Sequence, residues 1–359
     1  MSRATGAAIG DAAVVPRASR AQPPANALLA GLAALVAALV LVSLVLGPYH
    51  LGWDDVFAAL TGSVDGAGAT PLARLHHTVI WQIRLPRLLL VVLVGLALPV
   101  TGATYQGVFR NPLVDPFILG VASGASFGAG LALLLPGFPA SLQVGAFAGG
   151  LLAVAIAYGV AQHDGRESVA SLLLAGIVTN ALFQAALSTV KYVSDDQALR
   201  AIVFWAMGGF YNASWTDVAI AAPAVLAGVL VLWGAAWRLN VLSVGDDEAR
   251  TLGVDPGRVR SLLVVVATLV TAICVSLSGV VAWVGLMVPH AVRRFVGADH
   301  RVLIPASALA GAAFLLICDD VARLATHAEL PIGIVTSLMG APYLLVLARG
   351  RGGWWGGRS

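Results

Sequence analysis

Apolar residues occur in this chain as long unbroken blocks, not at alternate positions or on one face of a helical repeat. Ten blocks stand out, near residues 27–47, 84–106, 117–135, 141–161, 168–190, 216–237, 258–278, 283–296, 302–325 and 331–349. A helix needs about 20 apolar residues to cross a hydrocarbon layer ~30 Å thick, and most of these blocks have that length. The alternating segments of a membrane barrel, each about 10 residues long, are missing. The eighth block is too short to cross as a straight helix and contains Pro289, so a short or broken helix sheltered by its neighbours is expected there. The first block exceeds the roughly 7–15 apolar residues of a signal-peptide core and reads as a retained helix. The pattern predicts an all-α polytopic membrane protein with about ten transmembrane helices over 27–349. Residues 1–26, rich in Ala, Arg and Pro, and residues 350–359 are expected to be tails, the first of them disordered.

Composition agrees with that reading and narrows it. The chain has 359 residues, a length that alone would allow two soluble domains. But 59% are hydrophobic, mean hydropathy is +0.89, and only 11% are charged, against roughly a quarter in soluble domains. The net charge of +3 comes from arginines scattered between apolar blocks, which argues against nucleic acid as a partner and for membrane orientation. With the N-terminus inside, the inner segments hold Arg3, Arg17, Arg20, Arg110, Arg166, Arg238, Arg250, Arg258, Arg260, Arg293, Arg294, Arg301, Arg349, Arg351 and Arg358. The outer segments hold Arg74, Arg84, Arg87, Lys191, Arg200 and Arg323. Fifteen against six satisfies the positive-inside rule and puts both termini in the cytoplasm. Cys274 and Cys318 lie in apolar blocks without paired spacing and read as packing residues.

Several chemistries are excluded. A phosphate-binding loop needs Lys followed by Ser or Thr after a Gly-rich turn, and the single lysine, Lys191, sits in "TVKYV". A protein of this kind that moves cargo with ATP must borrow its ATPase. Acids inside the spans are essentially Asp319 and Asp320, with Arg323 one turn on, so the carboxylate ladder of a proton-driven carrier is missing. Two readings of that trio stand: a local ion pair closing a helix end, or a pair that poises Arg323 for a partner. His76, His77, His290, His300 and His327 lack metal-ligand spacing, so no metal is expected.

Three stretches carry more information. "LSVGDDEARTLGVDP" (242–256) is a charged island with the punctuation of a short helix. Ser243 or Asp246 can cap its start, and the early acids suit the helix dipole. Gly253 can end it, with Pro256 beyond. Gly245, Glu248, Ala249 and Leu252 fall at i, i+3, i+4 and i+7, a small face suited to docking, although a solvated turn is the simpler alternative. In "RLPRLLLVVLVGLALPVTGATYQGVFRNPLVDPFILG" (84–120), Arg84 and Arg87 defy the charge rule, as Arg323 does. They can snorkel at a membrane edge, or the three can form pockets for a docking protein's carboxylates. "SDDQALRAIVFWAMGGFYNASW" (194–215) reads as a short outer helix ending at Gly208–Gly209, its aromatics a membrane-interface belt or the mouth of a route for a flat apolar ligand. An echo between 101–113 and 278–290 suggests inverted repeats.

At "RLPRLLLVVLVGLAL", "RNPLVDPFILGVASGA", "FWAMGGF", "VGDDEARTLGVD", "GLMVPHAVRR" and "DHRVLIPASALAGAAFLL" running on to "ELPIGIVTSLMGAPYLLVL", the chain resembles a FecCD-type permease. These are membrane subunits of bacterial ABC importers for heme, ferric siderophores and cobalamin. The resemblance spans about residues 30–349 and implies a type II ABC importer permease in the bacterial inner membrane. It implies a homodimer with the path between two copies, two separate ATP-binding subunits, and a periplasmic substrate-binding protein. Positions matching the family's coupling helices fall on 240–257, with Gly245, Asp246, Glu248, Ala249, Arg250, Leu252 and Gly253 carrying ATPase coupling. Positions matching its docking arginines are Arg84, Arg87 and Arg323. The double acid at 319–320, where relatives tend to have one, leaves open which acid pairs with Arg323. The overall look is nearest to heme permeases: Tyr105, Phe127, Phe183 and Trp205 suit a planar macrocycle along the path, and Arg200 suits its propionates. Heme is then cargo, no cofactor is bound by this chain, and ATP belongs to the partner.

Overall fold

The computed structural model describes residues 24–62, 70–135, 141–161, 169–326 and 328–349, with side chains up to residue 346. Most of both expected tails lies outside the described residues. So do Arg3, Arg17, Arg20, Arg166, His327, Arg351 and Arg358 and the side chain of Arg349.

Every apolar block is helical, and no strand forms among the described residues. Helices α1 (Ala25–Val45), α2 (Trp53–Thr61) and α3 (Pro71–Thr78) come first. A six-residue π-helical segment, Val79–Arg84, joins α3 directly to α4 (Leu85–Val108). The order continues with α5 (Val121–Leu134), α6 (Leu142–Ala161), α7 (Val169–Val193), α8 (Asp196–Ala206), α9 (Trp215–Gly234) and α10 (Ala236–Val244). Then follow α11 (Asp246–Thr251), α12 (Pro256–Ser278), α13 (Val284–Val296), α14 (His300–Leu324) and α15 (Ile332–Arg349). The ten apolar blocks map onto α1, α4 to α7, α9 and α12 to α15. Starts follow local chemistry: Asp195 caps α8, Ser214 and Asp217 form a capping box on α9, and Asp255 with Pro256 opens α12.

Helix α4 is the hub, buried along nearly its whole length between α9, α12, α13 and α14. It runs from Arg84 and Arg87 at one end of the bundle to Arg110 at the other. Small residues let its neighbours come close, as the lack of a hydrophobic drive within lipid requires. A Cβ on Gly95 would stand 2.7 Å from the Ala312 Cα of α14, and one on Gly102 would stand 1.8 Å from the Gly285 carbonyl oxygen of α13. Gly124 and Gly128 of α5 meet Gly149 and Gly145 of α6 in the same way.

The eighth block is short, as expected, but the break precedes it. Residues 279–283 are non-helical, and Trp283 adopts a left-handed backbone (φ 72°) before α13 starts. Pro289 lies within α13. Its ring cannot donate to the Gly285 carbonyl four residues back, and that oxygen packs against Gly102. The Gln106 side-chain amide donates to the Leu286 carbonyl at 3.2 Å. Gly279 and Val281 of the irregular segment are buried, so its backbone is covered by protein. The suggested echo is not matched locally: 101–108 continues the α4 helix, whereas 279–283 is irregular.

Gly102→Ala is expected to push α4 from α13, because backbone faces the new methyl and cannot yield; overpacking of this kind costs about 1–3 kcal/mol. Gly31→Ala in α1, where nothing lies within 4 Å, should be neutral or slightly stabilising. Thermal unfolding of both variants in detergent checks the contrast.

Candidate functional site

At the end of the bundle where α4 begins, Arg84, Arg87 and Arg323 come together, and the fold turns them inward. Their exposures are 4%, 8% and 5%, so they neither snorkel outward nor present open pockets. Arg84 donates to the carbonyls of Leu44, Val45 and Tyr49, closing the end of α1. Arg87 holds Asp319 through Nε and Nη2 (2.9 Å for Nη2) and Glu329 through Nη1 (2.8 Å). Arg323 reaches Asp319 through Nε at 3.1 Å, pairs with Asp320 and donates to the Leu46 carbonyl. Ser43 of α1 donates to Asp320 at 2.7 Å. Both acids therefore pair with Arg323, and Asp319, 1% exposed, serves Arg87 as well. Arg87 and Arg323 face Asp319, Asp320 and Glu329, while Arg84 is met by backbone carbonyls. The cluster's most open member is Glu329, with 34% of its side chain exposed.

At the opposite end, the charged island forms α10 and α11 with a tight bend between them. Residues 246–251 are helical, but neither suggested cap is used: Ser243 bonds back to the Asn240 carbonyl, and Gly245 precedes the helix. Asp246 is instead the first helical residue, and its carboxylate bridges Arg110 and Arg260 (3.0 Å to Arg260). Of the expected face, Gly245 and Ala249 are buried while Glu248 and Leu252 are exposed, Leu252 at 59%; the Glu248 carboxylate folds back over Gly245. Arg250 is also exposed and pairs with Asp247 at 2.8 Å. Gly253 ends the helix in the left-handed conformation (φ 75°). Apolar Leu113, Val244 and Phe295 are exposed at this end too. Nearby, Asp299 opens α14. The Arg301 backbone N–H and the Asn240 side-chain amide hold its carboxyl below the usual carboxylate range.

The residues suggested for a path fall into different places. Tyr105 is fully buried inside the subunit, its hydroxyl 2.8 Å from Thr268 Oγ1 and its ring stacked on Phe109. Phe127 and Phe183 pack edge-on at 5.7 Å between α5 and α7. Trp205 is half-buried against a small cluster of Ala125, Ala129, Ala146 and Val275. Arg200 is exposed on α8, and so is Phe204, at 51%. Sequence reasoning missed the outward face of α7, where Asn180, Gln184 and Ser188 stand at i, i+4 and i+8, all exposed. Elsewhere, the end of α8, the 279–283 segment and the start of α15 make an apolar groove with Met207, Ile334 and Leu338.

Comparison with known proteins places this geometry in context. Residues 35–350 match the model of the FecCD transport family. The cobalamin import system permease of Halobacterium salinarum is 46% identical over 77% of this chain and 74% of its own length. The hemin transport system permease of Yersinia pestis is 44% identical over 75% of this chain and 82% of its own. The molybdate import system permease of Haemophilus influenzae is 37% identical over 89% and 94%. A solved structure described as an inward-facing conformation of a metal-chelate type ABC transporter superposes with a TM-score of 0.79. It is 36% identical and covers 90% of this chain and 99% of that one.

Asp319→Ala should destabilise more than Asp320→Ala, because it strips a partner from both Arg87 and Arg323. Breaking a buried ion pair from one side costs about 3–5 kcal/mol. Thermal unfolding of the two variants in detergent ranks them; equal losses would contradict the assignment of Asp319 as the shared partner.

Proposed function

The chain belongs to the FecCD transport family, and from that premise we propose that it imports heme. It is a permease subunit of an ABC importer; two copies would form the path, with two ATP-binding subunits below and a substrate-binding protein outside. The observation that supports a path between copies is the α7 face. Exposed Asn180, Gln184 and Ser188 lie within a 25-residue apolar helix, and such groups face protein or water in preference to lipid. A second copy packed along α7 and the α8–α15 groove would enclose a mostly apolar route with a sparse polar lining. Phe204 and Arg200 on α8 suit a flat macrocycle bearing acidic side chains, and Phe127, Phe183 and Trp205 back that wall from within.

The arginine balance orients the subunit in the cytoplasmic membrane with lipid around it, both termini and residues 240–257 inside, and the Arg84 end outside. The outward stripe of Glu248 and Leu252, with Arg250, Asp247 and the exposed Leu113, Val244 and Phe295, is the surface on which an ATP-binding subunit rests. At the outer end an acidic binding protein reaches Arg87 most directly by displacing Glu329, while Arg84 and Arg323 keep their internal partners. A cobalamin cargo is the second reading, favoured by the 46% identity to a cobalamin permease.

Reconstitution of the permease with its ATP-binding subunits and binding protein in proteoliposomes tests the reading. Heme is expected to stimulate ATP hydrolysis and to accumulate inside. Stimulation by cobalamin or a ferric siderophore but not heme would reassign the cargo. Uptake without ATP or ATP-binding subunits would overturn the importer mechanism.

A further inference from the structure

Of the three consecutive acids that open α11, two are exposed and one keeps 33% of its side chain exposed. Asp247 is 95% exposed at its side chain and pairs only within the helix. Glu248 is exposed. Asp246 alone turns into the bundle, where Arg110 and Arg260 share its carboxylate. Arg260, in the first turns of α12, keeps 4% of its side chain exposed. Arg110, just past the end of α4, adopts a left-handed backbone at φ 50°, a conformation disfavoured for a residue with a side chain. From that turn its guanidinium meets Asp246.

The remaining attachments of α11 are slight. It has six residues, too few to be stable alone, and only Ala249 is buried within it. Gly253, with open space around it and no side chain to stiffen it, joins α11 to the loop before α12. A force applied to the outward stripe would bend such a joint before it moved the bundle. The doubly shared carboxylate is the stiff connection, and it leads to two helices at once.

We infer that Arg110 and Arg260 are positioning residues of the transport cycle, which carry movement of α11 into α4 and α12 through Asp246. The inference rests on the reading that an ATP-binding subunit meets α11. Because α4 is the hub, a displacement delivered at Arg110 reaches α9, α13 and α14 together. Arg260 delivers the same displacement to α12, whose far end leads into the irregular 279–283 segment.

The measurement is substrate moved per ATP hydrolysed by the assembled importer in proteoliposomes, for Asp246→Asn, Asp246→Glu, Arg110→Gln and Leu252→Asp. Loss of the clamp should lower that ratio by roughly tenfold in Asp246→Asn and Arg110→Gln, within the usual range of coupling between distant sites. Asp246→Glu, which keeps the charge, should recover much of it. A merely structural role would lower the melting temperature and the yield of complex but leave the ratio unchanged. If Leu252→Asp uncouples while Asp246→Asn and Arg110→Gln remain coupled, the clamp is overturned and the surface assignment stands. If Leu252→Asp assembles and couples normally, the surface assignment fails, and the inference fails with it. Should Asp246→Asn not fold, Arg110→Gln at an exposed position decides the matter alone.

Discussion

A carboxylate that is 1% exposed inside a membrane protein needs cations beside it, and Asp319 has two. Arg87 approaches from α4 and Arg323 from its own helix, so the pairing fixes the depth and rotation of α4 against α14. The rest of that end follows. Arg323 also reaches the Leu46 carbonyl, and Asp320 accepts from Ser43, which brings α1 against the same pair. Arg84 closes the remaining carbonyls of the α1 end. The hydrophobic effect cannot choose among helix faces in an apolar solvent, and this network supplies the choice.

Away from that network, geometry is set by what is absent. Gly95 and Gly102 let α14 and α13 cross α4 at backbone distance, and the crossing at Gly285 lies where Pro289 withholds a helical hydrogen bond. The bundle thus combines a charged anchor at one end with close, side-chain-free crossings along its length. At the opposite end, α11 is tied to the bundle by Asp246 between two arginines and by Ala249, and Asn240 joins α10 to the start of α14.

The helices were legible because lipid imposes a length, and unbroken apolar blocks report that length directly. The end of α11 at Gly253 was legible too, because its chemistry is local, whereas neither Ser243 nor Asp246 caps the start. Side-chain direction was not. Arg84, Arg87 and Arg323 break the charge rule, but nothing in linear order says whether a guanidinium faces a partner or folds back on Asp319 and Glu329. Tyr105 looked like a path residue by type, yet its neighbour Thr268 lies more than 160 positions away. A 3.6-residue period puts Gly245, Glu248, Ala249 and Leu252 on one stripe over eight residues, whereas α11 has only six and glycines flank it. The polar stripe of α7 was readable at spacing of four, and was hidden by the apolar mean of its helix.

The π-helical segment between α3 and α4 has a consequence for phase. A π turn accommodates one residue beyond the α-helical count, and one residue is about 100° of rotation. The two halves of the 38-residue helix Pro71–Val108 therefore present faces offset by that angle. Arg87 of the α4 half looks toward α14, while the α3 half looks toward α2, with His76 Nδ1 3.2 Å from an Asp55 carboxylate oxygen. Had the helix been regular, one of those two appointments would have been missed. The extra residue works as a keyway, letting a single rod address two sets of neighbours that ordinary helical pitch would never bring into line.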